Sequence, residues 1–213
     1  MTRASWLALP PEPWKNGGGV TRTLAADPAG RWRVSIADID RDGPYSRFPG
    51  FDRVSVVLSG AGVTLQGDGT SVPLRPRVPA VFDGNAQLQS TLVGGSVRVL
   101  NLFVLRGKAM ARVVCAGSTA GYRDVGELAD AAARRMVTRV VVAMDAGRVG
   151  GPSDVQVALG AGEYLLARGA EMPGVAMPGV DTPGVASPLA WTPTTENGIA
   201  VILDIAVHDG DPT

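Results

Sequence analysis

The chain has 213 residues, with 20 basic and 20 acidic side chains and one histidine. That length makes one large all-β domain or two small fused ones, and buries about 70% of the unfolded surface without a disulfide or metal staple. Balanced charge and a pI of about 6.6 argue against a non-specific nucleic-acid binder or a polybasic membrane anchor. A single cysteine, Cys115, excludes an intramolecular disulfide and a Cys-rich metal centre, and a single histidine, His208, excludes His-pair and His-triad metal sites. The first residues lack the apolar run of a signal peptide, and no window approaches 18 uncharged apolar residues. The expectation is a soluble cytoplasmic protein with neither membrane nor nucleic acid as partner.

Gly (28) and Pro (16) make about a fifth of the chain and are spread along it as turns. Between them lie short β-branched runs, the pattern of a sandwich or barrel. In chain order, the first chemistry is Trp14-Lys15-Asn16-Gly17-Gly18-Gly19-Val20-Thr21-Arg22. Glycines there allow either a cradle of backbone N–H groups around an anion, with Lys15 and Asn16 beside it, or a plain hairpin with Lys15 in solvent. It is not a P-loop, because Lys15 precedes the glycines.

The run Trp32–Ile36 is the first predicted strand. Trp32, Val34 and Ile36 share one face, while Arg33, Ser35 and Ala37 share the other. The second face meets either solvent or a barrel mouth, where the Arg33 fork suits a carboxylate and Ser35 donates beside it. Asp38-Ile39-Asp40-Arg41-Asp42-Gly43 matches half of a calcium loop, but the twelfth position is Pro49, so a turn is expected. Pro44 to Arg53 then packs Tyr45, Ser46, Arg47, Phe48 and Phe51 into a proline-bounded loop, read as a ligand rim or an aromatic corner. It leads into a strand at Val54–Leu58.

In the predicted strand Val97–Leu105, Asn101 shares a face with Val97, Val99, Phe103 and Leu105. A buried amide left unpaired costs about 1–3 kcal/mol, so Asn101 needs partners, from the protein or from a ligand. Cys115 reads as ordinary strand. A helix is expected over Asp124–Met136, followed by strands at Val137–Ala143, Val155–Leu159, Tyr164–Ala167 and Ile199–Val207. Pro-Gly-Val recurs at 173, 178 and 183, which predicts an exposed, mobile loop at about 172–186. His208 follows as a frayed end. Leu58–Leu65 resembles Ala158–Leu165, and Val99–Leu102 echoes Ile202–Ile205, suggesting two similar halves, 1–107 and 108–213. No Gly-x-Ser-x-Gly nucleophile elbow exists.

Taken together, Pro13–Arg22, Trp32–Asp38 and Asp42–Arg53 closely resemble the HutD/Ves family, with further matches at Leu58–Gly62, Phe82-Asp83-Gly84, Leu100-Asn101-Leu102 and Arg106-Gly107. The resemblance is strong over residues 5–107. It implies an all-β bicupin, two cupin-like barrels with few short helices, that accompanies bacterial histidine utilisation. At Val99 and Leu105 the chain departs from the pattern, where an acid and a base are expected. The resulting expectation is a bicupin without metal or other cofactor, binding a small anionic metabolite (formylglutamate- or urocanate-like) in a regulatory or accessory role, with a homodimer allowed. Lys15 and Arg33 would hold carboxylates, and Asn16, Ser35, Ser46 and Asn101 would offer polar contacts. Arg53 would pair with the ligand or with Asp38. The alternatives are a metal-independent hydrolase or isomerase using an Asp or Lys15 as base, and a protein-binding module acting through the Pro-Gly-Val loop.

Overall fold

A computed structural model of the chain describes residues 1–67, 69–127, 135–150, 156–169 and 190–208. Strand β1 (Thr2–Ser5) leads through a 3₁₀ turn (Trp6–Ala8) to β2 (Glu12–Pro13), β3 (Gly19–Ala26), β4 (Trp32–Ile39), β5 (Gly43–Tyr45) and β6 (Phe51–Ser59). Next come β7 (Val63–Gly67), β8 (Thr70–Leu74), β9 (Ala80–Asp83), β10 (Leu88–Leu92) and β11 (Val97–Leu105). The second half contributes β12 (Ala109–Ala116), β13 (Arg123–Gly126), β14 (Arg135–Ala143), β15 (Gly147–Gly150), β16 (Gln156–Leu159), β17 (Glu163–Gly169), β18 (Ala190–Pro193) and β19 (Ala200–His208). No helix among the described residues is long and apolar enough to cross a membrane.

Strands of the first half form a six-stranded sheet, β2-β3-β4-β11-β6-β9, and a four-stranded sheet, β5-β10-β7-β8. The second half repeats the order: β14, β17, β19 and β12 stand as β6, β9, β11 and β4 do, and β18-β15-β16 matches β10-β7-β8. Each half is therefore a cupin-like pair of sheets, and the fold is all-β. One strand crosses the expected division at residue 107: β1 pairs with β17 and so belongs to the sheet of the second half.

Alternation along the strands sorts the buried side chains onto the two faces of each large sheet. Trp32, Val34 and Ile36 of β4, Leu100, Leu102 and Val104 of β11, and Leu203, Ile205 and Val207 of β19 belong to one buried cluster, so the two large sheets pack face to face. The opposite faces form separate cores: Ala37, Val57, Leu65 and Val99 in the first half, and Val141, Leu159, Leu165 and Ile202 in the second. Strands such as β11 are buried on both faces and read as nearly continuous apolar runs. Burying each Val, Leu or Ile is worth about 1.5–3 kcal/mol.

Three further expectations are corrected. Of the helix expected over 124–136, Arg123–Gly126 and Arg135–Ala143 are strands, and 128–134 lie outside the described residues, as does the Pro-Gly-Val segment. His208 is not a frayed end: its backbone closes β19, in register with Arg135. The echo between β11 and β19 is a structural equivalence. The match of Leu58–Leu65 to Ala158–Leu165 is not, because it sets the β6–β7 connection against β16–β17, which stands where β8–β9 does.

Asp38 fastens β4 to both neighbours, accepting from Arg22 of β3 at 2.9 Å and Arg98 of β11 at 2.6 Å, and Asp27 grips Arg31 in the β3–β4 turn. Burial opposes ionisation of each carboxyl, but Arg98 and Arg22 at Asp38, and Arg31 at Asp27, outweigh it and hold both below the ordinary value of 3.8. A carboxyl lowered on folding contributes its stability in full above that ordinary value and loses it as pH falls through the lowered one. Urea unfolding is expected to show stability declining below about pH 4, with a shallower decline for Asp38→Asn. An Asp38→Asn slope equal to that of the unaltered protein would remove Asp38 from this account.

Candidate functional site

Strand pairing around β11 builds the site. Asn101 of β11 stands between Ser35 of β4 and Ser55 of β6, and two residues along, Phe103 stands between Arg33 of β4 and Arg53 of β6. These two rungs share the face turned away from the packed large sheets. They help line a cavity of about 420 Å³ that takes in Lys15, Asn16, Arg33, Ser35, Ser46, Arg53 and Asn101. The structure thus brings all seven residues singled out in the sequence around one space, and the second face of Trp32–Ala37 meets a barrel interior rather than solvent.

Their local roles differ. Arg53 is 4% exposed; it donates to the Ser46 carbonyl at 2.9 Å and to Asn101 Oδ1 at 3.2 Å. Its Nε has no hydrogen-bond partner. Four rings surround its guanidinium, with centroids at 4.5 Å for Tyr45, 4.7 Å for Phe103, 5.1 Å for Phe82 and 5.2 Å for Phe48. Arg33 stacks on the same Phe103 and Phe48. Burial pushes the Arg53 guanidinium below its ordinary pKa, Tyr45 works against that, and the like charge of Arg33 adds to it. Burial lowers Arg33 in the same way, and Glu12 opposes it.

The expected alternative partner of Arg53, Asp38, is ruled out because Arg22 and Arg98 already hold it. Among the described buried arginines, Arg31 pairs with Asp27 and Arg139 with Asp204, whereas Arg53 has no carboxylate. A buried ion without a counter-ion is costly. Ring faces offset part of that cost, at about 0.5–2 kcal/mol per favourable cation–ring contact.

Asn101 Oδ1 also accepts from Ser55 Oγ at 2.7 Å and Tyr45 Oη at 3.1 Å. The amide is therefore satisfied by the protein and acts as the hub of the cavity wall. In the glycine segment, Gly17 N donates to Trp14 O and Gly18 N to Asn16 Oδ1. Those N–H groups are spent within a hairpin and do not cradle an anion. Gly19 is required there, since a Cβ would strike the Asp38 carbonyl. Lys15 remains exposed at the cavity edge. Ser46 contributes its carbonyl to Arg53, while its side chain is exposed.

Phe103 and Glu12, which the sequence reading did not single out, also line the cavity, together with Tyr45 and Phe48 of the loop read as a ligand rim or an aromatic corner. Phe103 was visible as the next residue on the Asn101 face; nothing local marked Glu12. Lys15, Arg33 and Arg53 face a single lining carboxylate, so the cavity is cationic, and no Asp lines it to serve as the base of an enzymatic reading. Metal-binding cupins need several His or carboxylate donors. Glu12 alone does not fit that role, and no metal-ligating cluster occurs among the described residues. The half-calcium loop resolves into other bonds, with Asp38 held by arginines and Asp42 accepting from Leu92 N. Cys115 is buried, which pushes its thiol up to about 12 against a small opposing pull from Arg77. It is not poised as a nucleophile.

Known proteins resemble the chain in both sequence and fold. An uncharacterized 21.2 kDa protein of the hutC 3′ region of Pseudomonas putida is 40% identical over 110 residues, 49% of this chain and 58% of that protein. Protein Ves of Citrobacter koseri is 34% identical over 117 residues, 52% of this chain and 61% of its own. These matches span about three fifths of the curated relatives' length. The solved structure of HutD from Pseudomonas fluorescens SBW25 (formate condition) is 25% identical, with a TM-score of 0.62 over 98% of this chain and 100% of that one. A conserved protein of unknown function from Pseudomonas aeruginosa PAO1 is 23% identical, with a TM-score of 0.68 over 98% and 99%, and shares the fold. The hut names tie the Pseudomonas putida and Pseudomonas fluorescens proteins to histidine-utilisation genes. The HutD family model matches residues 8–175, most of the sequence, and on that match the chain belongs to the HutD family.

Proposed function

We propose that the cavity of the first half binds a small anionic metabolite, formylglutamate- or urocanate-like, and that the protein serves histidine utilisation as a regulatory or accessory binding protein rather than through turnover. One observation carries this reading: Arg53 is buried against the cavity with an unpartnered Nε and no carboxylate. A ligand carboxylate in the cavity would supply the counter-charge that the guanidinium lacks. Arg33, over the same two rings, would share the charge, and Lys15 at the rim would meet a second acidic group. The aromatic walls would exclude water and strengthen both interactions.

The test is thermal unfolding of chelator-treated protein with histidine, urocanate, formimino-glutamate, formylglutamate and glutamate. A ligand at about 100 times its Kd stabilises by about 2.7 kcal/mol, or about 5–10 °C for a chain of this size. A selective shift that Arg33→Ala abolishes while unfolding stays cooperative is expected. A cooperative melt unmoved by the whole panel would refute the reading.

Arg53 gives an independent check, because a site built for an absent anion sacrifices stability. Arg53→Met is expected to leave the unliganded protein within about 1 kcal/mol of its original stability, and to bind none of the panel. A loss of about 3–5 kcal/mol, the cost of breaking a compensated buried pair, would make Arg53 a structural residue.

A further inference from the structure

The repeated strand order allows the two barrels to be compared rung by rung. In the first, the rungs on the interior face of the large sheet are Ser35–Asn101–Ser55 and Arg33–Phe103–Arg53. The echo of Val99–Leu102 in Ile202–Ile205 sets Asn101 against Asp204. Their equivalents in the second barrel are Arg112–Asp204–Arg139 and Met110–Ala206–Val137. Both barrels therefore flank the central strand with two arginines. In the second, the arginines lie on the rung with the central acid. In the first they lie one rung along, on either side of a phenyl ring, and the hub residue is a neutral amide.

The chemistry follows that difference. Arg139 is 2% exposed and grips both oxygens of Asp204, its Nη2 at 2.8 Å from Oδ2. Arg112 pairs with Asp124 and stacks on Tyr122, and the charge of Asp204 acts on it as well. Met110, Ala206 and Val137 pack together where the first barrel has its cation pair. The second barrel thus carries the fork-to-carboxylate pairing whose acid is missing from the first.

We propose that Asp204 is a built-in ligand: its carboxylate fills, against Arg139 and beside Arg112, the role that a bound carboxylate fills between Arg33 and Arg53. Each chain then takes one anion, in the first barrel, and removal of the Asp204 carboxylate opens a second site for a small carboxylate. The comparison rests on the reading of the first cavity as an anion site, but the second site is testable apart from it.

The experiment is thermal unfolding of Asp204→Ala, alone and combined with Arg33→Ala, in sodium acetate against sodium chloride at equal ionic strength. Asp204→Ala strands the Arg139 charge and is expected to melt about 10 °C lower. Acetate should restore a saturable part of that loss where chloride does not, with or without Arg33. If Asp204→Ala does not fold in chloride, its refolding yield in acetate against chloride becomes the readout. Asp204→Asn then serves as the variant that keeps the side chain's shape, and it is expected to melt lower than the unaltered protein. No acetate-specific rescue, or rescue that vanishes with Arg33→Ala, would overturn the proposal; the second result would place acetate in the first cavity alone. Rescue of Asp204→Ala alongside an unaltered protein indifferent to every carboxylate would uphold the second-barrel site while refuting the first-cavity reading.

Discussion

A guanidinium removed from water keeps its charge, because no accessible pH neutralises it. Everything around Arg53 follows from that constraint. Its side chain lies inside a barrel, where four aromatic rings, a backbone carbonyl and the Asn101 amide oxygen surround it. Each contact offers partial negative charge and none offers a full one. The surroundings make the cation tolerable without neutralising it, and the residual field points into the cavity. A carboxylate in place of Asn101 would close the circuit internally, as Asp204 does for Arg139.

This arrangement is a consequence of register. β11 is central in its sheet, so one face seals the contact between the two halves while the other lines a barrel. The face that carries Leu100, Leu102 and Val104 is as uniform as a packed interface demands, and variation is confined to the alternate positions. The packed face is nearly the same in β11 and β19, whereas charge is distributed differently on the other. A fold whose stability resides in the sandwich between halves tolerates polar change in either barrel interior.

Much of the site was legible in the sequence because a strand has period two. Trp32–Ala37 declared both its faces, and Asn101 stood out as an amide among apolar neighbours. The glycines of 17–19 remained ambiguous because a cradle and a hairpin need the same backbone freedom. The direction of the N–H groups decided it, and that depends on Asn16 capping Gly18. The isolation of Arg53 was not legible, since it requires knowing that Asp38 sits on the opposite face of β4 and is claimed by Arg22 and Arg98. At the two ends of the 124–136 stretch helix propensity misled, because β12 and β19 recruit those ends as strands and pairing outweighs propensity. The resemblance of 58–65 to 158–165 misled for another reason: Gly-Ala-Gly suits any tight connection, whichever strands it joins.

The central claim is that Arg53 lacks a counter-ion until a ligand supplies one, and its side-chain Nε–H reports on that directly. Protein labelled with ¹⁵N-arginine, with the Arg53 Nε–H assigned through Arg53→Lys, would be titrated with formylglutamate and then with sodium chloride by NMR. The account predicts that the Arg53 resonance moves saturably and gains exchange protection with the carboxylate only, while that of Arg139, already bonded to Asp204, stays in place. An Arg53 resonance in folded protein that is protected from the outset and indifferent to the carboxylate would contradict it.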